Sequence, residues 1–389
     1  MAEVKPSIET FAKIKVVGIG GSGGNAVNRM IAARLKGVEF IAMNTDVQAL
    51  HYSNAPVKLH IGKSVTRGLG AGMNPELGAQ AAQESQNEIR DILKGADMVF
   101  VTCGLGGGTG TGAAPLVSEV ARDLGALTVG VVTRPFGFEG AQRRDIADRG
   151  YERLAERADT VITIPNDRVL QVAEKKTTLV DAFGIVDDIL RQAVQGISEL
   201  ITVPGLINVD FADVKAIMEG QGSALMSIGK GSGEHRAVEA AKAAVASPLL
   251  EVSIDGARGV LFVVTGGRNL TMHEVAEAAK ILTGTTDPNA KVIFGSAIDE
   301  SLKDEVLITL IATGFDPKTR IQPAVKGAII SSSPVAAVAP RMSITPPPQG
   351  ARPFVARTLS DELAAVPTAR HEEASEDLDI PAFIRKKMR

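Results

Sequence analysis

The chain of 389 residues has one cysteine, no tryptophan, two tyrosines and five histidines. A single thiol, Cys103, excludes a disulfide framework and points to a reducing compartment. With so few and so scattered histidines it also excludes a zinc cluster. Charge of one sign is lacking too: 42 Lys and Arg against 45 Asp and Glu leave a net charge of −3. No global field therefore gathers nucleic acid, and none is expected as a partner. No apolar run is long enough to span a bilayer. The polar start MAEVKPSIETFAK lacks the apolar core of a secretory leader, so the expected location is cytoplasmic.

Glycine, by contrast, is plentiful, with forty residues concentrated in loops that follow strand-like runs. The runs IKVVGI (14–19), VEFIAMNTD (38–46), DMVFVTCG (97–104), ALTVGVVT (126–133) and DTVITIPND (159–167) read as short buried strands. A helix over 24–36 follows the first, and an alanine-rich helix beginning near Gly112 follows the third, with Pro115 in its first turn. Apolar strands alternating with helices predict an α/β fold with a Rossmann-like parallel sheet covered on both faces. Ligands of such sheets bind at the carboxyl ends of the strands.

Residues 178–202 carry the longest helical pattern, with Leu179, Phe183, Val186, Ile189, Leu190, Val194, Ile197 and Ile201 around most of its circumference. That distribution predicts a central helix buried between layers, about 35 Å long. Gly184 and Gly196 inside it count against its continuity. SALMSIG, RGVLFVVTGG, AKVIFGSAI and EVLITLIATG, between 222 and 314, read as strands of a second, smaller α/β domain, with helices near 233–246 and 271–282. Residues 317–376 are rich in Pro, Ser and Ala and predict a disordered C-terminal linker. Its flexible-chain reach is about 40–45 Å.

Two glycine motifs carry the chemistry. GIGGSGGNA (18–26) matches G-x-G-x-x-G at Gly18, Gly20 and Gly23, between a strand and a helix. That context fits phosphate binding at a helix N-terminus but names no nucleotide, and a tight structural turn is the plainer alternative. GLGGGTGTGAAP (104–115) places a second such loop at the same sheet edge. Backbone N–H groups of the two loops, with the hydroxyls of Thr109 and Thr111, can meet a polyphosphate from two sides. The fragment GKS at 62–64 is no P-loop, because the required upstream glycine is Val57.

GGGTGTG (106–112) resembles the signature of the tubulin/FtsZ superfamily, and the start GIGGSGGNAVNRM and the tail DIPAF resemble its FtsZ branch, the bacterial cell-division GTPases. The resemblance covers about 13–315 and the last dozen residues. It implies a flexible N-terminus (1–12), a GTP-binding domain (13–177), a central helix (178–202), a C-terminal α/β domain with a catalytic loop (203–316), the linker (317–376) and a partner-binding peptide (377–389). By the same resemblance Gly21, Ser22, Gly23, Gly24 and Asn25 form the first phosphate loop, and Gly108, Thr109 and Gly110 the second. Ala71 and Gly72 resemble the loop that senses the γ-phosphate, and Thr133 falls near the phosphates. Glu139 and Arg143 resemble the ribose and phosphate contacts, and their i, i+4 spacing predicts one helix face. Asn166 and Asp187 resemble the guanine readers and Phe183 the residue that stacks on the base; without the resemblance Phe183 reads as core. GTP and GDP are the implied ligands, with Mg²⁺ bridging the phosphates and no dedicated protein metal site.

Hydrolysis needs a polarised water, which glycine loops do not supply. NVDFAD (208–213) offers Asn208, Asp210 and Asp213 after the long helix. If Asp187 meets the base, the helix then runs on for about 22 Å, which sets the acids on the far side of the molecule, where they would meet the nucleotide of another subunit. The plainer role for the aspartates is to cap the helix that starts near Asp210. A heterologous contact of this kind repeats head to tail into an open filament, and the resemblance implies the same arrangement. It also implies a ring at midcell beneath the inner membrane, and docking of residues 379–389 on membrane-linked division proteins such as FtsA, ZipA or SepF. Two alternatives stay open from the residues alone: a non-hydrolysing filament protein of the same fold, and an NAD-dependent oxidoreductase.

Overall fold

The computed structural model describes residues 12–172, 177–202, 209–250, 254, 256–300 and 302–315. All of them fall within one compact unit. Asn208, the linker and the partner-binding peptide lie outside the described residues.

The chain begins with β1 (Ile14–Ile19), α1 (Gly20–Ala32), β2 (Val38–Asn44), α2 (Val47–His51), β3 (Val57–His60) and α3 (Lys63–Thr66). It continues with α4 (Pro75–Glu84), α5 (Gln86–Leu93), β4 (Met98–Gly104), α6 (Thr109–Asp123) and β5 (Leu127–Arg134). A short 3₁₀ turn (Gly137–Glu139) precedes α7 (Ala141–Ala155), β6 (Thr160–Pro165), α8 (Asn166–Val172) and α9 (Leu179–Thr202). Then follow α10 (Phe211–Met218), β7 (Gly222–Ser232), α11 (Arg236–Val245), β8 (Gly259–Gly266), α12 (Met272–Thr283), β9 (Lys291–Ile298) and β10 (Glu305–Thr313).

The strands form one sheet in the order β3-β2-β1-β4-β5-β6-β7-β10-β8-β9. From β3 to β6 every pairing is parallel, and β10 runs antiparallel between β7 and β8. Alternation along the parallel strands feeds two cores. In β4, Met98 and Phe100 face the core shared with α1 and α9, while Val99, Val101 and Cys103 face the core shared with α4, α5 and α6. Burial on both faces is why these strands read as continuous apolar runs.

Helix α9 is unbroken across both its glycines, and each glycine has a packing reason. A methyl on Gly184 would lie 3.0 Å from the Arg29 guanidinium, and one on Gly196 would lie 3.2 Å from Thr309 Cγ2. The glycines therefore mark close approaches to α1 and β10 rather than a break. Strand β3 was not legible in the sequence, being four residues with two exposed positions. Two helix starts also differ from expectation. Helix α1 begins at Gly20 and α6 at Thr109, so the glycines themselves wind the first turns. Pro115 consequently lies inside α6 rather than in its first turn.

Candidate functional site

Strand β1 sits between β2 and β4, and the helices that follow β1 and β4 leave the same edge of the sheet. This is the switch point at which open parallel sheets hold their ligands. The N-termini of α1 and α6 are neighbours there: a methyl on Gly20, itself at φ +72°, would lie 3.1 Å from the Gly110 nitrogen. Neither helix start has a side-chain cap or an acidic residue in its first turn. Elsewhere the chain does cap its helices, by Asn74 at α4 and by a Thr271–Glu274 box at α12. Two adjacent helix starts without a side-chain cap aim free N–H groups and positive dipole ends at one place, a ready anion cradle.

The glycines divide the labour. Methyls on Gly18 and Gly23 would collide with the carbonyls of Gly23 and Thr102, so these two hold α1 tight on β1 and β4. Gly21 and Gly24 meet nothing within 4 Å, and a ligand can approach their backbone. Ser22 and Asn25 are exposed beside them. A methyl on Gly104 would lie 2.7 Å from Ser22 Oγ and 3.5 Å from Thr133 Oγ1, which brings the first loop, the end of β4 and Thr133 together. Gly108 lies against the carbonyls of Ala71 and Gly72, so the loop 71–72 rests directly on the second glycine loop.

A second cluster adjoins the first. Phe183 is 42% exposed rather than core, and its ring meets the buried Phe136 edge-on. Asn166 heads α8, is buried, and its Oδ1 has no hydrogen-bond partner. Next to it, Asp167 accepts from the Gly137 N–H at 2.8 Å. Asp187, one turn beyond Phe183, is pushed up to about 6 by burial, with Arg29 pulling the other way. Arg29 follows Asn25 by one turn on α1, so the same helix touches both clusters; sequence reading missed it. A guanine fits this donor and acceptor set: a carboxylate for its N1–H and amine, an unpartnered buried amide oxygen, and an aromatic face.

Glu139 and Arg143 do not share a helix. Glu139 closes the 3₁₀ turn, and Gly140 at φ +98° separates it from α7. The two side chains still pair at 3.0 Å, with Glu139 also accepting from the Phe136 N–H at 2.8 Å. Arg143 reaches the second loop: a methyl on Gly106 would lie 2.8 Å from its Cγ. Its buried Nε has no partner.

Asp210 and Asp213 are not brought to these clusters. Asp210 caps α10, accepting from the Ala212 N–H at 3.1 Å, and both acids are exposed. The far end of α10 is held where the parallel strands begin: Thr160, the first residue of β6, donates its hydroxyl to the Met218 carbonyl. Val209 and Leu200 both lie against Gly295 of β9, and Thr202 lies against Gly37, just before β2. The acids thus sit toward the sheet edge opposite the glycine loops.

The profile of the Tubulin/FtsZ family, GTPase domain, matches residues 13–174, and that of the FtsZ family, C-terminal domain, matches 222–316. Among solved structures, an empty FtsZ dimer from M. jannaschii is 48% identical with a TM-score of 0.76, over 79% of this chain and 89% of that one. CetZ1 from Haloferax volcanii, a GDP-bound monomer, shares the fold at 21% identity and a TM-score of 0.67, over 78% and 95% of the two chains. CetZ2 from the same organism, a GTPγS-bound protofilament, does so at 21% and 0.68, over 78% and 94%.

Proposed function

Because the chain belongs to the Tubulin/FtsZ family, on its FtsZ side, we propose that it binds GTP across the two glycine loops, hydrolyses it to GDP and phosphate, and assembles head to tail into filaments. The filaments form the division ring at midcell, on the cytoplasmic side of the inner membrane. Gly21, Ser22, Gly24 and Asn25 with Gly108, Thr109 and Gly110 hold the phosphates, Ala71 and Gly72 close over the terminal one, and Thr133 supports the cradle. Arg143 and Glu139 meet phosphate and ribose. Asn166 and Asp187 read guanine, and Phe183 stacks on it.

The observation that carries the proposal is the separation of acids from anion cradle within one chain. A cradle of backbone N–H groups stabilises phosphoryl charge but polarises no water. Asp210 and Asp213, exposed toward the opposite edge, complete the site only when a second subunit stacks on the first. Hydrolysis at such a junction couples turnover to assembly, and the contact repeats without closing. Asn208 belongs to the same loop by sequence.

Mg²⁺ enters only as an ion carried by the nucleotide. Among the described residues no group of three or more His, Cys, Asp or Glu could hold a metal. The ligands of such an ion would be phosphate oxygens and water. Residues 379–389 are the proposed docking peptide for FtsA, ZipA or SepF.

The test is light scattering of the purified chain on addition of GTP. Scattering should rise with GTP, stay flat with GDP, and decay as phosphate is released. Binding of NAD with no binding of GTP would overturn the proposal.

A further inference from the structure

The loop between β2 and α2 makes one buried side-chain contact with the phosphate cradle. Thr45 Oγ1 and Thr109 Oγ1 lie 2.7 Å apart, with Thr45 fully buried and Thr109 nearly so. Thr109 is the first residue of α6, one residue from Gly108, on which the Ala71–Gly72 loop rests. Thr45 is held rigidly. His60 Nε2 lies 3.1 Å from the Thr45 carbonyl, which can only accept, so that ring nitrogen carries the proton. On either side, the Ile61 N–H donates to the Asn44 carbonyl, and the Asp46 N–H donates to Asn44 Oδ1.

Two hydroxyls sharing one hydrogen bond use one proton and leave the other to point elsewhere. Without an anion either polarity is possible. With a phosphoryl oxygen at the start of α6, the pair can serve it only if Thr45 donates and Thr109 accepts. Thr109 then turns its own proton to the phosphate. A chain of donors polarises each link, so the outer bond is stronger than a lone threonine would make.

We propose that Thr45 is a positioning residue for the terminal phosphate, acting through Thr109: it donates to Thr109 Oγ1 and commits the Thr109 proton to that phosphate. This rests on the GTP reading given above. Because the device responds to the third phosphate, it biases the protein toward the triphosphate and leaves the diphosphate almost unaffected.

The experiment compares GTPγS and GDP affinities by competition at protein concentrations below assembly, for Thr45→Val, Thr45→Ser, Thr109→Val and the double valine variant. Thr45→Val should lower the GTPγS-over-GDP preference about fivefold, the worth of one hydrogen bond. Thr45→Ser, which keeps the hydroxyl, should restore it to within about twofold. Thr45→Val should add nothing in the Thr109→Val background. Thr45→Ala serves as a second removal of the hydroxyl should the valine perturb folding, which thermal melting reports. Equal losses of GTPγS and GDP affinity would mean a merely structural contact and overturn the proposal. Loss of preference in Thr109→Val but not in Thr45→Val would overturn it alone. No loss in Thr109→Val would overturn it together with the placement of the terminal phosphate at α6.

Discussion

Phe183 stands edge-on to Phe136, with ring centroids 5.3 Å apart and planes at 84°. Phe136 is buried and Phe183 is 42% exposed, so one ring anchors the other beside an open face. Phe183→Ala should weaken GTP binding about tenfold, the worth of one stacked base, and leave the thermal midpoint nearly unchanged. Phe136→Ala should instead destabilise the fold by about 3–5 kcal/mol. Competition with a fluorescent GTP analogue and thermal melting separate the two. Undiminished affinity in Phe183→Ala would remove that ring from the base site.

As the proposed guanine reader, Asp187 should make binding depend on pH. Burial lifts its carboxyl to about 6, and only the ionised form can accept from both guanine donors. Below about pH 6 the free protein carries the proton, so GTP must displace it, and affinity should fall by up to about tenfold per pH unit. Above that value the dependence should flatten. Asp187→Asn should bind more weakly but lose this dependence. Dissociation constants between pH 5 and 8 check both, and a flat profile in the unsubstituted chain would place Asp187 outside the pocket.

Gly18 and Gly21 should respond oppositely to alanine. A methyl on Gly18 collides with the Gly23 carbonyl, whereas on Gly21 it enters open space. Gly18→Ala should destabilise by about 1–3 kcal/mol through overpacking. Gly21→Ala should hold or raise stability, since alanine favours the helix by about 1 kcal/mol, yet weaken nucleotide binding. Urea melts alongside GTP affinity decide this, and an unchanged affinity for Gly21→Ala would clear that position of ligand contact.

Asp210 has a structural duty, capping α10, beside its proposed catalytic one. Asparagine caps as well as aspartate, so Asp210→Asn should keep stability while Asp210→Ala loses about 1 kcal/mol. Both should bind GTP and lose most turnover. Mixing Asp210→Asn with a Gly108→Val chain should partly restore hydrolysis, because some junctions then pair an intact cradle with an intact loop. Co-assembly without recovery would show that the acids act within one chain.

Deleting residues 379–389 should leave GTPase activity intact and abolish recruitment to partner-coated liposomes. A large fall in activity would instead make that peptide part of the catalytic unit.

The parallel strands other than β3 were legible as unbroken apolar runs, because both their faces are buried, and the long helix because apolar residues recur around most of its circumference. The glycine loops were legible because close approach forbids side chains, a constraint written in composition itself. Helix starts were misplaced for that same reason: glycines that wind the first turns of α1 and α6 look like loop. Glu139 and Arg143 show the limit of spacing, since four residues apart meant a helix face on paper and a 3₁₀ turn plus a glycine break in space. Arg29 and Thr45 left no local signal; their roles arise from neighbours far along the chain, such as Gly184 and Thr109.

Strands β6 and β7 are joined only from Thr160–Ile162 to Gly222–Ala224, whereas β10 is paired along most of its length on both sides. Backbone pairing is thus thinnest at this seam, three residues against eight, and side chains carry the junction instead: α9, α10 and residues of β6, β7, β8 and β10 share one hydrophobic core across it. The tie between the parallel strands and the antiparallel ladder is therefore made by non-directional apolar burial more than by a hydrogen-bonded ladder.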